Sequence, residues 1–138
     1  MINSRDINEL HPKVQIMCRQ FIIACKEAGI DVLITSTYRD YESQDDLYAQ
    51  GRTKSGKIVT NARAGYSYHN FRVAFDFVPL ANGKAIWDND ILFAKAGSIG
   101  KSVGLEWGGD FITFKDKPHF QFTNGLSLTN FRNGRKID

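Results

Sequence analysis

Ser67-Tyr68-His69-Asn70-Phe71-Arg72-Val73-Ala74-Phe75-Asp76-Phe77-Val78 alternates from Val73 onward with the two-residue period of a strand. Ala74, Asp76 and Val78 share one face, and Val73, Phe75 and Phe77 share the other. Asp76 is therefore a carboxylate in the middle of an apolar strand, a position costly for a bare charge unless a cation, a metal or several hydrogen-bond donors hold it. His69 precedes it in a His-x6-Asp pattern at the strand's entry. A further strand is expected over Pro118 to Phe122, with His119 and Gln121 on one face and Phe120 and Phe122 on the other. Adjacent strands would bring His69, Asp76 and His119 to one point. Two neutral imidazoles and a carboxylate fill three corners of a tetrahedral zinc site and leave the fourth for water. Spacing alone leaves that reading level with two hydrogen-bonded structural histidines.

Asp116 stands three positions before His119. A carboxylate held beside such a metal can take a proton from water and pass it to a leaving amine. Local sequence by itself favours a plain turn in Lys115-Asp116-Lys117-Pro118. The remaining histidine, His11, precedes Pro12 and reads as a surface or capping residue.

Further out, Val14, Met17, Cys18, Phe21, Ile22 and Cys25 mark a helix over His11 to Glu27 that stops at Gly29. Cys18 and Cys25 lie about 10 Å apart along its axis, too far for a disulfide, and read as reduced core residues. Asp31 to Thr37 alternates as a strand with Arg39 beyond its end. A short helix is expected from Tyr41 to Gln50, capped by Asp40, and the Gly-, Lys-, Thr- and Ser-rich stretch from Gly51 to Gly65 reads as a long loop. Asp88 to Gly104 reads as a helix weakened by Gly97 and Gly100. The segment Asp88-Asn89-Asp90 lacks the glycine and glutamate of a calcium loop and reads as a helix cap. The tail from Thr129 is polar and basic.

The length of 138 residues suits one domain, long enough to bury about two thirds of its unfolded surface. No apolar run approaches the roughly 18 residues of a membrane span, and Met1 to Asp6 lacks the apolar stretch of a secretory leader. The net charge of +3 is mild, and its Lys and Arg residues are scattered, so neither stable membrane insertion nor a nucleic-acid partner is expected.

Several motifs in order, Ser67-Tyr68-His69-Asn70, Ala74-Phe75-Asp76, Gly104-Leu105-Glu106-Trp107-Gly108-Gly109-Asp110-Phe111 and Asp116-Lys117-Pro118-His119-Phe120-Gln121, resemble the L-alanyl-D-glutamate endopeptidases. These are zinc peptidoglycan hydrolases related to the D-alanyl-D-alanine carboxypeptidases and dipeptidases. Asp6 to Pro12, Ser36-Thr37-Tyr38-Arg39, and Gln44 with Leu47 to Arg52 agree with the same family. The resemblance implies His69, Asp76 and His119 as zinc ligands, Asp116 as catalytic acid/base, and Arg39 as an arginine that holds substrate or stabilises the oxyanion. The alternative for Arg39 is a surface ion pair with Asp40 or Glu42. Ser67, Gln44, Glu106 and Trp107 are then expected as substrate contacts or supports, Glu106 beside Trp107. Arg72 departs from the family, which usually carries a small residue there, and as a long cation is expected to crowd the groove or meet an acidic peptide. Phe111, where tryptophan is frequent, should still pack.

The implied fold is a single α+β domain over 1–138, without a separate wall-binding domain. It has a small, mostly antiparallel sheet, helices on one side and the zinc cleft on the other, as in the Hedgehog and D-Ala-D-Ala peptidase folds. The implied activity is hydrolysis of the L-Ala–D-Glu bond of peptidoglycan by a monomeric phage endolysin. It would wait in the host cytoplasm and reach the wall after membrane permeabilisation. The alternatives are a D-Ala-D-Ala peptidase with the same metal chemistry, and a catalytically silent zinc-folded binding module.

Overall fold

Helix α1 runs Pro12–Glu27 in the computed structural model, which describes residues 1–138. His11 caps it as expected, with its Nδ1 accepting from Lys13 N at 3.1 Å, and Pro12 occupies the first turn, where an N–H has no helical partner. Val14, Cys18, Phe21 and Cys25 form its buried face. Both cysteines are free, and burial pushes their thiols up to about 12 for Cys18, against a small pull from Arg19, and to about 11 for Cys25.

That face packs on a five-stranded antiparallel sheet: β1 (Asp31–Ser36), β2 (Ala74–Ala81), β3 (Lys84–Ala85), β4 (Glu106–Trp107) and β5 (His119–Gln121). The order is β1-β2-β5-β4, with β3 pairing the far end of β2. The Phe21 ring meets those of Phe75, Phe77 and Phe120 at centroid distances of 6.0, 5.1 and 4.7 Å, tilted or edge-on, the arrangement that ring quadrupoles favour. Strand β2 runs past the expected end at Val78. Pro79 has no N–H to offer the ladder, yet it sits opposite Val32, and its carbonyl accepts from Ile86 N.

Helix α3 (Asp90–Ser102) packs beside α1 on the same side, capped by Asn89, and is shorter at both ends than the expected 88–104. Its glycines are close-approach sites rather than weaknesses. A Cβ on Gly97 would lie 2.4 Å from the Trp107 ring, and one on Gly100 would lie 2.3 Å from Phe120. Helix α2 (Tyr41–Ala49), capped by Asp40, and α4 (Leu128–Arg132) contribute Leu47 and Leu128 to the cleft on the opposite face of the sheet. Strands β3 and β4, helix α4 and three short 3-10 turns, Ile7–Glu9, Tyr68–Phe71 and Gly108–Asp110, have no counterpart in the sequence-based assignment.

Candidate active site

Asp76 and His119 face each other as cross-strand partners on β2 and β5, while His69 enters from the 3-10 turn just before β2. Ser67 begins that turn, its hydroxyl accepting from His69 N at 3.3 Å, and Arg72 ends it in the left-handed region at φ 64. His69 Nε2 and His119 Nδ1 each lie 3.1 Å from Asp76 Oδ1. One ligand atom from each residue fits within 4.8 Å of the others.

The far side of each ring decides what the near side can do. His69 Nδ1 donates to the Thr37 carbonyl at 2.8 Å, and His119 Nε2 donates to Gln121 Oε1 at 2.8 Å. Each far nitrogen therefore carries a hydrogen, so the near nitrogens that contact Asp76 are the ones that would give up their protons and turn a lone pair to a metal. Such rear acceptors fix the tautomer and orientation of metal-binding histidines. The donor set thus fits a divalent metal such as zinc, with all three residues at the floor of an open cleft of about 820 Å³. Electrostatics agree: burial alone would raise the Asp76 carboxyl, yet the charges and hydrogen bonds of His69 and His119 hold it well below the usual carboxylate range. For His119, burial disfavours the charged ring, but the hydrogen bond and charge of Asp76 win and raise its pKa.

Asp116 lies beside this centre, its Oδ2 4.0 Å from His119 Nδ1, with 54% of its side chain still open to the cleft. Partial desolvation raises its carboxyl, His119 opposes this and Asp76 adds to it. Its backbone is held from several directions. Asp116 N donates to Gly108 O at 2.9 Å, its carbonyl accepts from His119 N at 3.1 Å, and Trp107 Nε1 donates to Lys117 O at 2.8 Å. Trp107 does not line the cleft and so braces the loop that carries Asp116 rather than touching substrate. Glu106 points elsewhere, accepting from the Thr123 backbone N–H and hydroxyl at 3.0 Å each, and it too stays outside the cleft.

Arg39 reaches the cleft from beyond β1 and makes no ion pair with Asp40 or Glu42. Its three guanidinium nitrogens donate to Asn3 Oδ1 at 3.4 Å, Gln44 Oε1 at 3.0 Å and Ser36 Oγ at 3.2 Å. Gln44 is fully buried and donates to Ala62 O, so it orients Arg39 from behind. Burial lowers the Arg39 pKa, while the fields of Asp76 and Asp116 counter it. Asn70, which the sequence reading overlooked, donates to Arg39 O at 2.9 Å while Arg39 N donates to His69 O at 3.1 Å, locking the arginine's backbone to the histidine's turn.

Arg72 does not crowd the groove. Its guanidinium pairs with Glu9 at 2.8 Å and lies 3.8 Å over the Tyr38 ring, outside the cleft. The left-handed backbone there explains why a small residue, glycine above all, suits the position. Phe111 packs as expected, its ring 6.0 Å from that of His119. Tyr66, also missed, lines the cleft; its only sequence signal was its place three residues before His69.

Comparison with known proteins agrees with this geometry. The family described as D-alanyl-D-alanine carboxypeptidase matches residues 60–122. The chain is 43% identical over 123 residues to the peptidoglycan L-alanyl-D-glutamate endopeptidase CwlK of Bacillus subtilis (strain 168), covering 83% of this chain and 74% of that protein. It is 34% identical over 137 residues to the L-alanyl-D-glutamate peptidase of Listeria phage A118, covering 94% of this chain and 44% of the phage protein, less than half of its length. The crystal structure of the Serratia marcescens L-Ala D-Glu endopeptidase ChiX superposes with a TM-score of 0.66 at 23% identity, over 89% of this chain and 90% of that one. A vancomycin-resistance D,D-pentapeptidase in complex with Zn(II) gives 0.64 at 12% identity, over 96% and 84%. At those identities the structural matches establish the fold, an α+β domain of the kind expected. At 43% identity across 74% of a relative's length, the chain belongs to the peptidoglycan L-alanyl-D-glutamate endopeptidase family of peptidases.

Proposed function

We propose that the protein is a zinc peptidase that hydrolyses the L-Ala–D-Glu bond of peptidoglycan stem peptides. The observation that carries this reading is the pair of imidazoles whose far nitrogens are committed to Thr37 O and Gln121 Oε1, so that the two near nitrogens and the Asp76 carboxylate converge in an open cleft as the atoms left to bind a metal. His69, Asp76 and His119 would hold the metal. Zinc bound there would polarise the scissile carbonyl and make a water molecule acidic enough to attack near neutral pH. Asp116, at the edge of the same cleft, accepts the proton of the attacking water and returns it to the departing amine of D-Glu. Its raised pKa suits a group that must both take and give a proton. Arg39, fixed by Gln44, Ser36 and Asn3, holds a permanent positive charge where negative charge develops on the carbonyl oxygen.

The bond is assigned by the names of the relatives. The setting we propose is a monomeric phage endolysin made in the host cytoplasm that meets the wall after membrane permeabilisation, and the Listeria phage relative supports it. No helix is long and apolar enough to cross a membrane. The deciding experiment is mass spectrometry of purified peptidoglycan digested with the zinc-loaded protein, alongside a chelated sample. New N-terminal D-Glu ends that disappear on chelation are expected. Released D-Ala would move the assignment to a carboxypeptidase, and absence of products with zinc bound would leave only a binding module.

A further inference from the structure

One cluster at the cleft plays no part in the chemistry above. Tyr66 lines the cleft, and two guanidiniums lie over its ring, Arg132 at 4.1 Å and Arg63 at 4.6 Å. Arg63 Nη2 also donates to the Tyr66 hydroxyl at 3.2 Å, and Arg132, from α4, is pinned by its bond to Gly65 O at 2.9 Å. Neither arginine has a carboxylate within 4.0 Å. Asp45, whose field reaches Arg63, is engaged in accepting from Ala64 N. Two like charges gathered on one aromatic ring without a counter-ion repel each other, and a bidentate anion would relieve that repulsion. The loop at the other edge of the sheet, which follows β4, presents Phe111, Thr113 and Phe114 to the cleft instead. Positive charge therefore stands at the rim of the groove beside Tyr66, where Arg63 and Arg132 lie just outside its lining, and aromatic side chains stand at the other end.

The proposed substrate is uneven in the same way. On one side of the scissile bond L-Ala leads within a single residue to an uncharged muramic sugar ring. On the other, D-Glu is linked onward through its γ-carboxyl and keeps a free α-carboxylate, and a diamino acid in third place can add another. We propose that Arg63, Tyr66 and Arg132 form a carboxylate-reading subsite that receives the leaving side of the stem peptide and so sets the direction in which it lies across the cleft. This rests on the endopeptidase reading, and its two candidate ligands, the D-Glu α-carboxylate and the carboxylate of a third-position diaminopimelate, are separable by experiment.

The test uses the zinc-loaded full chain and synthetic muropeptide stems carrying D-Glu or D-isoglutamine second, crossed with lysine or meso-diaminopimelate third. The protein should cleave stems bearing the recognised carboxylate about tenfold faster in kcat/KM than those lacking it, the size of one charge-assisted contact. A preference that follows the second residue identifies the D-Glu carboxylate, and one that follows the third identifies diaminopimelate. The double variant Arg63→Gln/Arg132→Gln should reduce that ratio toward one. Arg132→Gln also loses the bond to Gly65 O, so Arg63→Gln alone, whose side-chain partner is only Tyr66, should still lower the ratio, and Arg63→Lys should lower it less. The zinc-loaded Asp116→Asn variant, titrated with the same stems by calorimetry, should show the same preference in Kd, shrinking as salt is added. Cleavage without any preference, or a preference kept in full by the double variant, overturns the subsite and leaves the hydrolytic reading intact. Carboxylate-dependent binding without cleavage by the unmodified chain overturns the hydrolytic reading and leaves the subsite. Neither binding nor cleavage overturns both.

Discussion

Gly108 offers the sharpest test of how the site is held. A Cβ there would fall 2.1 Å from the Asp116 carbonyl oxygen, 3.0 Å from the His119 Cβ and 3.1 Å from the Asp116 carbonyl carbon. Ordinary contact begins at 3.4 Å, so Gly108→Ala demands about 1.3 Å of movement by main-chain atoms that cannot rotate away. The movement has nowhere harmless to go, because Gly108 O accepts from Asp116 N and from Phe111 N, and Asp116 O accepts from His119 N. Shifting the carbonyl carries the proposed base and a metal ligand with it. Overpacking of this kind typically destabilises by about 1–3 kcal/mol, and a catalytic group displaced by an ångström can cost about a hundredfold in rate. Urea denaturation would read the first quantity, and kcat on a muropeptide the second, with zinc content checked by metal analysis. Gly125→Ala is the matched control: φ is 80 but nothing lies within 4 Å of the new Cβ, so it should show only backbone strain of about 1–2 kcal/mol and normal turnover per folded molecule. If Gly108→Ala keeps turnover within about twofold of the parent, the close approach does not position Asp116, and the reasoning fails.

Trp107→Phe removes the N–H that holds Lys117 O, a loss of about 0.5–1.5 kcal/mol; kcat should fall while zinc affinity stays near that of the parent, and an unchanged kcat would deny the bracing role. Gln121→Leu leaves the His119 Nε2–H without its acceptor and should weaken zinc binding about 10–100-fold in chelator competition. Asp116→Ala should keep zinc bound and abolish wall lysis; substantial lysis would remove Asp116 from the mechanism. Acid should release the metal earlier than for an ordinary histidine pair. Burial notwithstanding, Asp76 raises the His119 pKa in the metal-free fold, so that proton stabilises the metal-free form below the usual imidazole value of about 6.5 and is lost only as pH rises through the raised one. Apparent zinc affinity should therefore begin to fall above the ordinary imidazole pKa as pH is lowered, and a titration flat down to pH about 6 would contradict this.

Much of the site could be read because its ligands sit at positions with a clear period. Asp76 is conspicuous as a charge in an apolar strand, and His119 shares a face with Gln121, so their meeting follows from pairing β2 with β5. What stayed hidden depends on atoms that side-chain patterns do not describe. The acceptor behind His69 is the backbone of Thr37, and the tether of Arg39 runs through the amide of Asn70 and the carbonyl of His69. The partner of Glu106, Thr123, was hidden because β4 is only two residues long, with no alternation to show which way its carboxylate turns. Arg72 looked like a groove residue because its left-handed backbone, which swings it onto Glu9 and Tyr38, has no signature in a non-glycine residue. Helix α4 escaped because five residues give barely more than one turn, too few for a period.

The two thiols buried under α1 set a different kind of boundary. With Cys18 pushed up to about 12 and Cys25 to about 11, almost none of either is thiolate near neutrality, and thiolate is the form that attacks disulfides, binds oxidants and reacts with alkylating agents. Nothing in the core needs a bridge to form, and nothing there readily forms one by accident. The reduced pair should therefore persist under mild oxidants, and reductant in an assay buffer should leave the folded enzyme unchanged.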